Sequence, residues 1–269
     1  MEPETSLRRR SVLGLIGAGA TVAAVAWRPA LAEDAPPIAA ASDLNATLPE
    51  VASLFRRATG KSVKLTFGSS GNFAQQIRNG APFEVFLSAD EGYVRMLAAA
   101  GKTEDGGALY AIGRIGLFQP RGSGVRADSR LVDLAAAVRD GRLRKFAIAN
   151  PEHAPYGRAA REALQHAGLW RMIEPRLVLG ENVAQATQFA TSGSAQGGII
   201  PLSLALTPQV KAAGSFAIIA ADWHRPLRQR AVVLKGAGAT ARAFYAFVQS
   251  PQARGVFRRH GFVLPGEGG

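Results

Sequence analysis

The chain contains no cysteine. That excludes disulfides, thiolate catalysis and cysteine metal sites, and it leaves burial of apolar surface as the source of stability. Histidine is scarce too: His153, His166, His224 and His260 stand apart, none at metal-ligand spacing from another. Aromatic residues make up only 7% of the chain and are rarely interleaved with the basic ones, which argues against a nucleic-acid face. Acidic side chains are outnumbered, 20 against 32 Lys and Arg, for a formal charge of +12. The basic residues are scattered as Arg56-Arg57, 142–145, 225–230 and Arg258-Arg259. They read as solvated faces whose diffuse positive field steers a small anion inward, with no nucleic acid as partner. Beyond residue 32 no apolar run is long enough to span a bilayer.

The first 32 residues read differently. Arg8-Arg9-Arg10 precedes an apolar run from Ser11 to Trp27, and Ala30-Leu31-Ala32 supplies the small residues of a cleavage site before Glu33. Residues 1–32 are therefore expected to be a cleaved export signal, with Arg9-Arg10-Ser11-Val12-Leu13 loosely resembling a twin-arginine pattern. Its four arginines and two glutamates leave about +10 on the remainder.

From Pro37 onward strands and helices alternate, as expected for an α/β protein with parallel sheets covered on both faces. A helix after Ile38–Ala41 runs to about Thr59, with Pro49 forcing either a late start at Thr47 or Leu48 or a kink. Two long apolar strands, Leu109–Phe118 and Arg230–Leu234, are placed to cross between lobes. The expected organisation is a discontinuous first lobe, 33–112 plus 230–269, clasping a second lobe, 113–229.

Lys64-Leu65-Thr66-Phe67-Gly68-Ser69-Ser70-Gly71-Asn72-Phe73 reads as a strand that breaks into a small-residue turn and opens a helix. Free amides at a helix start, with serine hydroxyls beside them, suit an anion; the same turn also suits simple helix capping. Three more strand-to-helix turns accompany it: Ala41-Ser42-Asp43, Ala154-Pro155-Tyr156-Gly157 and Gly180-Glu181-Asn182-Val183. Ser42 and Ser70 lie 28 residues apart and Tyr156 and Val183 lie 27 apart, about one strand-helix unit in each case. In open sheets such turns gather at the carboxyl ends of the strands, where ligands bind.

Other motifs fail. Gly17-Ala18-Gly19 lies in the export signal and lacks the third glycine of a dinucleotide fingerprint; Gly101-Lys102-Thr103 lacks the first glycine of a P-loop. Ser70 as a hydrolase nucleophile would need glycine where Asn72 stands.

Taken together, Ala39-Ala40-Ala41-Ser42-Asp43-Leu44, Phe67-Gly68-Ser69-Ser70-Gly71, 80–90, 150–157, 180–183 and Gly198-Ile199-Ile200 make the chain resemble the periplasmic molybdate-binding proteins of ABC transporters. The resemblance implies a two-lobed periplasmic-binding-protein-like α/β fold, each lobe a mainly parallel sheet flanked by helices, with the ligand cleft between them. It implies a non-enzymatic, monomeric, periplasmic protein without cofactor that captures molybdate, and tungstate, and hands it to a membrane permease. The metal enters only as the centre of an oxyanion, held through Ser42, Ser70, Tyr156 and Val183, with Asp43, Ser69 and Pro201 as secondary candidates. Pro201 stands where some members carry a tyrosine, so either the Tyr156 phenol reaches the anion instead or the site has one donor fewer. Asp43 reads as a first-turn acid with its carboxylate turned away from the anion. The alternatives are a binding protein for sulfate, phosphate or a small organic anion, and an exported hydrolase or transferase using the Ser70 turn.

Overall fold

The computed structural model describes residues 35–267; the expected export signal lies outside them. Two five-stranded sheets carry the fold. The first is built from β1 (Pro37–Ala41), β2 (Lys64–Gly68), β3 (Val85–Ser88), β4 (Ala108–Gly113) and, from late in the chain, β10 (Leu227–Val233). The second comprises β5 (Ile115–Pro120), β6 (Phe146–Ala149), β7 (Leu177–Gly180), β8 (Gly198–Pro201) and β9 (Gly214–Ile218).

Their strand orders correspond: β2-β1-β3-β10-β4 and β7-β6-β8-β5-β9. In each, the first three strands run parallel, the fourth is antiparallel to both neighbours, and so four of the five point one way. The sheets are mixed because each takes in one reversed strand, β10 or β5, directly after a crossing from the other lobe. The apolar segment expected as one crossing strand is interrupted at Arg114, which alone separates β4 from β5.

Helices cover both faces, as such strands require. α1 (Leu48–Thr59), α2 (Ser70–Arg78) and α3 (Glu91–Ala99) belong to the first lobe. The second lobe holds α4 (Val132–Arg139), α5 (Pro155–His166), α6 (Trp170–Ile173), α7 (Val183–Thr191), α8 (Leu202–Ala205) and α9 (Pro208–Ala213). α10 (Ala239–Val248) and α11 (Pro251–Arg259) return to the first. Alternation sorts the strand residues between two cores. Ile38, Ala40, Val85 and Leu87 meet Phe55, Phe244 and Phe257 on one face, while Ala39, Phe86 and Val232 meet Phe73, Ile77 and Leu97 on the other. In the second sheet Phe146 and Ile148 pack on Leu134 and Leu164, and Ala147 and Ile200 on Ala205 and Val210. Each fully buried Phe or Leu side chain contributes about 1.5–3 kcal/mol.

Two helix starts set the geometry of the site. A short 3-10 turn, Ser42–Leu44, follows β1, and α1 begins only at Leu48. Pro49 then falls in its first turn, where a missing N–H costs nothing. α5 opens earlier than the sequence suggests, because Pro155 supplies a preset φ at its first position. Tyr156 thereby joins the first helical turn. Among the described residues no helix is long and apolar enough to cross a membrane.

Candidate anion site

The carboxyl ends of β1 and β2 in one lobe face those of β6 and β7 in the other. Ser42, Ser69, Ser70, Tyr156 and Val183 line one small pocket there, together with Asp43, Gly68, Ala89 and Pro155. No lysine, arginine or histidine is among its walls. Its donors are helix starts. Asn182 caps α7 by accepting from the amides of Ala184 and Gln185, both at 3.1 Å, and does not cap the Val183 amide. Ser69 caps α2 through the Asn72 amide, which leaves the amide of Ser70. α5 has no side-chain cap at all, so Tyr156 presents its amide in an open first turn.

Both serine hydroxyl oxygens accept from main-chain amides. Ser70 Oγ accepts from the Ala89 amide at 3.0 Å, and Ser42 Oγ accepts across the cleft from the Ala184 amide at 3.3 Å. An oxygen that accepts an amide proton keeps its own proton to give. Ser69 is used otherwise: besides capping α2, its Oγ lies 2.9 Å from His153 Nδ1, in the opposite lobe.

The phenol of Tyr156 points at Asp43 and Gln229 instead of standing free for an anion. It donates to Asp43 Oδ2 at 2.9 Å, and Gln229 Nε2 donates to the same carboxyl oxygen at 2.6 Å and to the phenol at 3.0 Å. Tyr110 in turn donates to Gln229 Oε1 at 2.6 Å. Gly113 makes room for this chain, since a Cβ there would stand 2.2 Å from the Tyr156 hydroxyl. Asp43 does occupy a first turn, but its carboxyl is fully buried, and burial pushes it up to about 7 against the pull of Gln229 and Tyr156. Burial and the neighbouring Asp43 charge also push the Tyr156 hydroxyl well above its ordinary range.

Pro201 lies outside the pocket. It ends β8, paired with Ile115, and two residues on Ser203 donates to the main-chain carbonyl of Asp43 at 2.8 Å. Gln229 and Tyr110 are the residues that sequence reasoning missed. A signal for Gln229 exists in the alternation Leu227, Gln229, Ala231 against Arg228 and Arg230, which puts the glutamine on the buried face.

The lobes meet around the mouth. His153 O accepts from the Gly71 amide at 2.9 Å, His153 Nε2 lies 3.6 Å from Glu181, and Asn72 donates to Glu181. On the other side Arg158 pairs with Asp90. A groove of about 360 Å³ adjoins the pocket, lined by Arg95, Arg158, Arg225 and Arg228. Each of these arginines faces a carboxylate, at Glu91, Asp90 or Glu162, so the groove offers no unpaired cation to an anion. Although burial opposes it, Arg230 and Arg228 hold the Glu91 carboxylate below its ordinary range. Among the described residues no cluster of His, Asp or Glu is placed to hold a metal ion.

Residues 37–263 match the family model described as bacterial extracellular solute-binding protein. The molybdate-binding protein ModA of Rhodobacter capsulatus is 38% identical over 251 residues, covering 91% of this chain and 96% of that one. ModA of Azotobacter vinelandii is 35% identical over 84% of this chain and 89% of its own. Among solved structures, the periplasmic molybdate-binding protein of Azotobacter vinelandii superposes with a TM-score of 0.77 at 32% identity, covering 86% of this chain and 99% of that one. The chain therefore belongs to the bacterial extracellular solute-binding proteins, in the branch of the periplasmic molybdate-binding proteins of ABC transporters.

Proposed function

We infer that this protein is an exported, periplasmic binding protein that captures molybdate and tungstate and delivers them to an ABC-type permease. It is a component of transport, not an enzyme. One observation carries the reading to this chain's own residues: Ser42, Ser70, Tyr156 and Val183, from four strand ends in two lobes, wall a single pocket of neutral donors. Hydroxyls and helix-start amides suit a fully ionised tetrahedral anion, which has acceptors only. Each lobe brings half the donors, so the anion favours the closed state through contacts that only closure completes. Residues 1–32 serve as the cleaved export signal; one moving lobe runs through the end of β4 and resumes with β10, and the segment between them forms the other. The protein works as a monomer and without nucleic acid.

Charge does not separate molybdate, tungstate and sulfate, since all are dianions at neutral pH. Distance does. Donors set about 2.7–3.1 Å from the oxygens of the larger ions leave the smaller sulfate with stretched bonds. Monoprotonated phosphate adds an O–H that needs an acceptor. Calorimetry against the four anions tests the reading. Molybdate and tungstate should bind with similar affinity and compete, with sulfate and phosphate weaker by orders of magnitude. Equal or tighter sulfate binding would move the protein to another anion.

A further inference from the structure

Asp43 is the one wall of the pocket that carries a carboxyl group. Its two carboxyl oxygens are in different situations. Oδ2 accepts from both Tyr156 and Gln229. Oδ1 is buried and has no hydrogen-bond partner in the protein. A buried polar atom without a partner is costly, and natural structures seldom keep one without a use. The elements packed on the 3-10 turn of Asp43 do not supply one: β2 ends there in Gly68, α7 begins with Val183, and Ser203 of α8 is committed to the main-chain carbonyl. The titratable groups that face the carboxyl are Tyr156 from α5 and, beyond Gln229, Tyr110 from β4. Burial pushes both phenols well above their ordinary range, so both stay neutral.

An ionised Asp43 would set a negative charge and bare lone pairs against a dianion. A protonated one would offer a donor. With Oδ2 already taking two protons from its neighbours, the place for the acid's own proton is Oδ1. We propose that Asp43 is a specificity-determining residue, entering the complex as a neutral acid whose Oδ1–H donates to an anion oxygen, so that a fully ionised dianion is bound together with one proton. This rests on the anion-capture reading above. The balance is simple: carboxylate, proton and dianion combine to a carboxylic acid hydrogen-bonded to the dianion, with no bond of the anion broken. Because burial already raises the carboxyl to about 7 without ligand, the proton is in place below that pH and must be taken up on binding above it. Affinity for molybdate should be nearly constant below that pH and fall by up to about tenfold per unit above it. Monoprotonated phosphate brings its own proton, which an ionised Asp43 accepts, so the preference for molybdate should narrow as pH rises.

The test is titration calorimetry of the protein with sodium molybdate at about pH 6 and about pH 8.5, each in two buffers of different ionisation enthalpy. Close to one proton taken up per molybdate at the higher pH, and few at the lower, is the expected result. Asp43→Asn keeps a donor in place without a titrating group; its affinity should be flat with pH and its proton uptake absent. Tight binding at about pH 8.5 with no proton uptake by the unmodified protein overturns the proposal while leaving capture intact. Proton uptake that persists in Asp43→Asn overturns it as well. Absence of binding at either pH overturns the capture reading, and this proposal with it.

Discussion

The main-chain carbonyl of His153, in one lobe, accepts a hydrogen bond from the amide of Gly71, in the other, at 2.9 Å. A Cβ on residue 71 would lie 2.5 Å from that carbonyl oxygen and 2.8 Å from the Tyr93 hydroxyl. Gly71→Ala should therefore hold the lobes apart and weaken molybdate binding by about tenfold or more. Position 71 lies within α2, where alanine is the better helix former by about 1 kcal/mol. The variant should thus melt no lower than the parent, which separates a closure defect from unfolding. Calorimetry with a melting curve checks both; unchanged affinity would show that closure tolerates the methyl group.

Ser42→Ala and Ser70→Ala should each lose a hydrogen bond to a charged ligand, about 1.5–3 kcal/mol, or tenfold to over a hundredfold in affinity. Their effects on the fold should differ. Removing Ser70 Oγ strands the buried Ala89 amide, whereas the Ala184 amide released by Ser42→Ala still has Asn182 Oδ1 at 3.1 Å. Melting of the ligand-free variants should show Ser70→Ala the less stable.

Tyr156→Phe removes the phenol and keeps the amide. Since the hydroxyl serves Asp43 and Gln229, the variant should lose about 1–3 kcal/mol of stability, while affinity at mildly acid pH changes only a few-fold. A large affinity loss with unchanged melting would place the phenol on the anion instead.

Without ligand, Asp43 should make its own mark on the pH dependence of stability. Its carboxyl is raised from 3.8 to about 7, so between those values the folded protein binds more protons than the unfolded chain. Stability from this group is then greatest below the lower value and declines as pH rises toward the upper one. Carboxylates such as Glu91 and Glu162, held low by their arginines although burial opposes it, act in the opposite sense. The clean measurement is the difference between Asp43→Asn and the parent in denaturant melts across this range. The variant should gain relative stability steadily with pH; a constant difference would mean that the carboxyl titrates normally in the fold.

The strand-helix alternation and the position of Ser42, Ser70, Tyr156 and Val183 at strand-to-helix turns were readable because both rest on short-range pattern. Ser42 and Ser70 follow β1 and β2 by one and two positions, Val183 follows β7 by three, and Tyr156 follows β6 by seven, at the start of the next helix. The partnership of Asp43 with Tyr156, 113 positions apart, was not readable, because it depends on how two lobes close and on the absence of a side chain at Gly113. Gln229 was hidden by a strand boundary. β10 begins at Leu227, three residues before the apolar run suggests, and the register shift between Gln229 and Arg230 breaks a simple ladder there. Pro201 drew attention through its place after the Gly198-Ile199-Ile200 strand, yet what reaches toward Asp43 from that end is Ser203, two residues further along.

The reversed strand in each sheet also fixes an order of assembly. All strands of the second sheet lie between Ile115 and Ile218, so that sheet has every partner once its last strand is made. The first sheet waits for β10, since among the described residues β4 pairs with no other strand and makes only a single bridge, Ile112 to Val263, later still in the chain. A chain ending before Leu227 would hold one lobe with a finished sheet and another with the flanks of β3 and β4 exposed. The first lobe, though it starts the chain, is therefore the last to complete itself, and the segment from β10 through α11 acts as its closing clasp.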